Sequence, residues 1–273
     1  MALMRMSLLK LARRPATWIV FAILAGLIAL VFLSLGLTAG SMDSSMTDEL
    51  QIRLLLDFPT AYTIVAGFVL AFGGLLGVAY GAAIIGADWA WGTIRAIIAR
   101  GESRVRYTLV TFLAIAIVVG IGVLATGLVG FGSAIVAAEM AGLGTDGATD
   151  ADTLATLPDL LARTWLGVAQ AAAIGFAIAM LFKSQLAGIG AGLALYFAEQ
   201  FLQLVPGLRD ILIYGPFSVS GAVIGTTDEF EASTAFGEFP VMGPDAAVVW
   251  SVGYLVLALA IASASARRAQ ITQ

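Results

Sequence analysis

Any chemistry in this chain has to be done without histidine or cysteine, because neither occurs among its 273 residues. Their absence removes thiol and imidazole nucleophiles, Ser-His pairs, HExxH metal sites and the usual zinc ligands together. A phosphate-cradling GxxxxGK[ST] loop fails too. The only lysines are Lys10 and Lys183; Lys183 precedes Ser184 but has Phe182 and Ala177 where the two glycines belong, and Lys10 does not fit. Intramembrane aspartyl proteolysis needs two aspartates within apolar segments, and the six apolar runs described below hold none. The sequence therefore assigns no catalytic, metal-ligating or cofactor-binding residue to this chain.

Two groups of polar residues remain. Gln170, Glu199, Gln200 and Gln203 lie in apolar surroundings, with Glu199 and Gln203 on one helical face at i and i+4. An intramembrane carboxylate is by default a functional candidate, so Gln170, Glu199 and Gln203 are candidates for a substrate path or gate; solvation at the outer interface is the competing reading for Glu199. The second group is the island 88–106, DWAWGTIRAIIARGESRVR, which carries four of the fourteen basic residues between two long apolar runs.

The elements that must position these residues are membrane helices. Hydrophobic residues make up 60%, charged residues 12%, and the mean hydropathy is +0.98. That composition belongs to a polytopic membrane protein, here a single domain over 1–273. A bilayer core about 30 Å thick needs roughly 20 apolar residues per helix. Six runs qualify: 17–37, 60–87, 107–137, 164–182, 186–205 and 246–264. Their continuous Ala, Leu, Ile, Val and Gly lack the alternation of a barrel strand. The expected fold is all-α with six transmembrane helices, an N-terminal interfacial helix over 1–15, a cytoplasmic helix within 88–106 and an outer loop over 206–245.

Charge sets the expected orientation. Arg5, Lys10, Arg13, Arg14, Arg95, Arg100, Arg104, Arg106, Lys183, Arg267 and Arg268 fall on one side of a six-span chain, and only Arg53, Arg163 and Arg209 on the other. The positive-inside rule then puts both termini and the 88–106 segment in the cytoplasm; the expected location is the plasma membrane of a prokaryotic cell, which the chain crosses several times. Acidic residues lean outward, with Asp43, Asp48, Glu49 and Asp57 in the first outer loop and further acids over 139–159 and 210–245. The leader sets Met4, Leu8 and Leu11 against Arg5, Lys10 and Arg13, as an interfacial helix would, before Pro15 turns the chain into the membrane. The apolar run after it exceeds a signal-peptide core and reads as the first span. Glycines at four-residue spacing, Gly73, Gly77 and Gly81 in the second span and Gly188 and Gly192 in the fifth, give small faces for close helix packing.

Within the island, Trp91, Ile94 and Ile98 form an apolar stripe at i, i+3 and i+7, predicting a helix on the membrane surface. Gly101 suits a left-handed C-terminal cap, and Ser103 can cap the helix that follows. Two roles fit Asp88: capping the N-terminus of the surface helix, or touching a partner. The order Asp88, Gly92, Thr93, Ile94, Arg95, an apolar stretch, then Arg100, Gly101, Ser103 and Arg104 resembles the ABC-2 type permease family of ABC transporters. The family often has glutamate at the position of Asp88 and proline near Gly101. The likeness extends to the six spans, the leader, the Lys183-to-Leu195 run and the outer loop with Tyr214, Gly215, Pro216 and Phe217.

That resemblance implies a coupling helix seated in a separate ATP-binding subunit, two such subunits joining two copies of this chain. ATP and Mg²⁺ would sit on the partner, and the surrounding lipid and not nucleic acid would be the other partner. Trp91, Gly92, Thr93, Ile94 and Arg95 would then be contact or transmission residues, with Asp88, Arg100, Gly101 and Arg104 as fasteners. A rigid short helix with tight turns transfers displacement better than a loop. The chain is thus expected to be a transport subunit, an exporter permease rather than an enzyme; an ATP-independent secondary transporter or channel is the alternative.

Overall fold

A computed structural model of the chain describes residues 2–40, 54–205, 207–225 and 242–268. The expected positions Asp43, Asp48, Glu49 and Arg53, Pro206 and the stretch 226–241 of the outer loop lie outside the described residues. The described residues are helical and contain no strand. In chain order the helices are α1 (Ala2–Ala12), α2 (Pro15–Gly40), α3 (Thr60–Ala90), α4 (Thr93–Ala99), α5 (Arg104–Met140), α6 (Ala151–Phe182), α7 (Gln185–Leu202), α8 (Arg209–Leu212), α9 (Pro216–Ala222) and α10 (Pro244–Arg268).

Five of them, α2, α3, α5, α6 and α10, are long and apolar enough to cross a membrane. The fifth expected run, 186–205, forms α7, which is not among the five. It has 18 residues, and Gln185, Glu199 and Gln200 lower its hydropathy. The fourth expected run also differs from its helix: α6 starts at Ala151, inside the expected outer loop 139–159, and carries Pro158. Leu154, Leu157, Leu160 and Leu161 continue the helical period across that polar stretch, and the last three pack on the core.

The centre of the bundle is the pair α3 and α6, whose apolar windows are 61% and 72% buried, whereas α2 and α10 are each 22% buried at the periphery. Glycine makes the central contact possible. A Cβ at Gly81 would collide with the Ala172 carbonyl, one at Gly175 with the Val78 carbonyl, and one at Gly77 would lie 3.1 Å from the Val168 oxygen. Gly73 meets Val168 in the same seam, and Gly188 and Gly192 of α7 meet Ala179 and Val78. The glycine faces thus pack within one chain, Gly77, Gly81 and Gly175 against backbone and Gly73 and Gly192 against valine side chains.

All the long helices run between two ends. At one end α1, α4, the start of α5, the α6–α7 turn and the end of α10 come together, with Lys10 at Asp88 and Ser265 donating to the Met180 carbonyl. At the other end Arg163 of α6 binds Asp245 of α10 and the Val223 carbonyl, next to α9.

Candidate functional site

The 88–106 island folds as a seven-residue helix bounded by two left-handed glycines. Gly92 has φ +68° and stands where α3 ends, and Gly101 has φ +85° just beyond Arg100. At the second glycine the Gly101 N–H donates to the Ile98 carbonyl at 2.9 Å and the Glu102 N–H to the Ile97 carbonyl at 3.4 Å. That pair of bonds is a Schellman cap, and it satisfies two orphan carbonyls of α4. Ser103 takes the N-cap position of α5 with extended backbone, but its side chain makes no capping bond.

The inward stripe of α4 is Ile94 and Ile97, both buried, with Ile98 half-buried beside them, not Trp91, Ile94 and Ile98. Trp91 precedes the helix, in the turn that Gly92 makes, and is 72% exposed. Arg95 and Arg100 are also exposed, while Thr93 and Arg104 are half-buried. The outward face of α4 therefore offers Trp91, Arg95, Arg100 and Gly101, and its inward face is anchored by isoleucine.

Asp88 does not cap α4, whose N-cap is Gly92. It lies in the last turn of α3 and is fully buried within the chain. Its carboxylate takes the Lys10 ammonium on Oδ1 and the Tyr107 hydroxyl on Oδ2 at 2.7 Å, with the Arg14 guanidinium 3.9 Å away. A negative charge near a helix C-terminus is unfavourable alone; two cations from the leader offset it. Burial pulls the Lys10 pKa below its ordinary 10.5, and Asp88 pulls the other way. Lys10, expected on the outer polar face of the leader, is turned inward by this pairing. Arg14 also lies over the Trp91 ring at 5.4 Å, which ties the leader to the exposed turn.

Neighbouring contacts fasten the same end. The Thr17 and Tyr80 hydroxyls bond at 2.8 Å, and Thr17 donates to the Leu11 carbonyl. Trp89 donates Nε1 to the Met180 sulfur at 3.2 Å, under the Lys183 ammonium. Lys183 itself takes φ +50° to turn α6 into α7, and Ser184 caps α7 by accepting from the Ala187 N–H. Gly86 lets that turn sit directly on α3, since a Cβ there would collide with the Gln185 backbone.

The polar residues of the other end converge on α9. Glu199 is buried and accepts from the Phe217 N–H at 3.1 Å, the Ser218 N–H at 2.5 Å and the Ser218 hydroxyl at 2.6 Å. Gln203 donates to the Ser218 hydroxyl at 2.6 Å. Gln170, fully buried on α6, donates to the Pro216 carbonyl and accepts from Ser251 of α10, both at 2.6 Å. The first N–H groups of a helix have no partner within it; Glu199 supplies acceptors for those of Phe217 and Ser218, Gln170 binds the Pro216 carbonyl, and Gln203 holds the Ser218 hydroxyl.

Sequence spacing pointed to Asp88 and Glu199 but not to their partners. Lys10, Arg14, Tyr107, Ser218 and Ser251 carry no local signal beyond being polar next to apolar runs. Among the described residues no group of three or more acidic side chains is arranged to hold a metal. No protein-family model matches the chain, and no curated protein matches it.

Proposed function

We propose that this chain is the transmembrane permease subunit of an ATP-driven transporter, resembling the ABC-2 type and exporting its cargo. The observation that carries the reading is α4: a seven-residue helix held between two left-handed glycines, anchored inward by isoleucine and presenting Trp91, Arg95 and Arg100 outward. A helix so pinned moves with α3 and α5 as one body, because Asp88 joins the end of α3 to Tyr107 of α5 and to the leader. Force applied to its exposed face reaches the spans without being absorbed by a flexible loop.

In this reading α7 is the sixth span. At about 1.5 Å per residue its 18 residues reach roughly 27 Å, and it runs from the α4 end to Glu199 beneath α9. Both termini and α4 face the cytoplasm of a prokaryotic cell, and two copies of the chain join two ATP-binding subunits that carry ATP and Mg²⁺. The segment 209–225 forms the outer closure.

Extraction from the native membrane in mild detergent tests this. A cytoplasmic ATPase should co-purify with the chain in one-to-one ratio, and Arg95→Glu should release it while the permease still inserts. Consistent absence of such a subunit would refute the proposal in favour of an ATP-independent carrier.

A further inference from the structure

We propose that Glu199 and Gln170 are the two grips by which α7 and α6 hold and move the short helix α9. The inference rests on the reading of 209–225 as the outer closure, but its test needs neither cargo nor ATPase.

A helix start leaves backbone N–H groups without partners. In α9 the N–H groups of Phe217 and Ser218 both point at the Glu199 carboxylate, which also takes the Ser218 hydroxyl. A charged acceptor makes these bonds stronger than neutral ones. Gly215 makes the approach possible, since a Cβ there would lie 2.5 Å from Glu199 Oε1. From the other side Gln170 uses both ends of its amide, one on the Pro216 carbonyl and one on Ser251. Helices α6, α7 and α10 therefore meet at four residues of backbone, 215–218.

What moves the grips follows from the packing. On α7 only Gly188, Gly192 and Glu199 are buried; Glu199 is its one buried side chain beyond the glycines, and half-buried Tyr196 supports it by packing on Phe217 and donating to the Ala71 carbonyl at 3.0 Å. On α6, Gly175 and Ala172 lie in backbone contact with Val78 and Gly81 of α3, and the last turn of α3 holds Asp88 beside α4. A shift of α4 thus carries α3 and α6 together, and Gln170 delivers it to Pro216 some distance along the same rigid helix. Neither residue need touch cargo to act; both are positioning residues.

The absence of cysteine makes the test direct. Val219 on α9 and Ala173 on α6 are both fully buried. In nanodiscs, Val219→Cys should react slowly with a polar maleimide in the otherwise unaltered chain. Glu199→Gln should raise that rate roughly 10- to 100-fold, the range for losing charge-assisted hydrogen bonds, and Gln170→Leu should raise it as well. Ala173→Cys should stay unreactive in both backgrounds. An unchanged Val219→Cys rate in Glu199→Gln would overturn the proposal, as would an equal rise at Ala173→Cys, which would mean general loosening. Failure here leaves the co-purification result untouched, so the grip and the transport reading fail separately.

Discussion

Replacing Asp88 by asparagine keeps the shape of the side chain but removes the charge that holds the leader against the bundle. Breaking a fully buried ion pair costs about 3–5 kcal/mol. The Lys10 side chain keeps 28% exposure, so its ammonium can turn partly to solvent, and asparagine can still accept from Tyr107. We therefore expect about 2 kcal/mol, or roughly a 30-fold rise in the population with α1 undocked. Ser7 reports on that population because it is 5% exposed on the inward face of α1. Ser7→Cys should react with maleimide roughly 30 times faster in the Asp88→Asn background, provided opening is fast relative to reaction. Adding Lys10→Met should recover much of the protection, since a lone charge would no longer be left behind. A change of less than about threefold in Asp88→Asn would refute the view that this carboxylate docks the leader.

The same geometry fixes the outcome of further substitutions. Gly81→Ala should destabilise the bundle by about 3 kcal/mol or more, read as a sharply lower thermal unfolding midpoint in detergent, because the new methyl collides with the Ala172 carbonyl. Gly190→Ala, which has nothing within 4 Å of its Cβ, should be neutral or stabilising by up to about 1 kcal/mol. Gly92→Ala meets no atom but must hold φ +68°. It should cost about 1–2 kcal/mol, and amide exchange should increase in 91–100 while α3 and α6 stay protected. Ile94→Asp should expel α4 from the bundle and abolish assembly with the proposed ATPase, whereas Trp91→Ala should change stability by no more than about 0.5 kcal/mol and weaken that proposed assembly.

Much of the architecture was legible because the forces that set it are local. Twenty or so apolar residues in a row require a helix wherever they meet lipid, and α2, α3, α5 and α10 match their expected spans to within a few residues. Gly101 was readable as a left-handed cap for the same reason, since the residue type limits φ before any tertiary contact forms. The start of α6 was not, because its acidic and polar first turns resemble a loop and become helix on the strength of three leucines packing on the core.

What composition and spacing settled, then, is that this is a helical chain made for a membrane, without the side chains for thiol, imidazole or zinc chemistry, and with two polar groups set apart in apolar surroundings. Their use was decided by the folded chain alone. Asp88 finds Lys10 across 78 residues of sequence, and Glu199 and Gln170 turn to the backbone around Pro216 while Gln203 turns to the Ser218 hydroxyl beside it. The physical reason is the same at both ends. A buried charge or orphaned amide must be met by whatever polar group the packing brings within about 3 Å, and no period along a helix records which group that is.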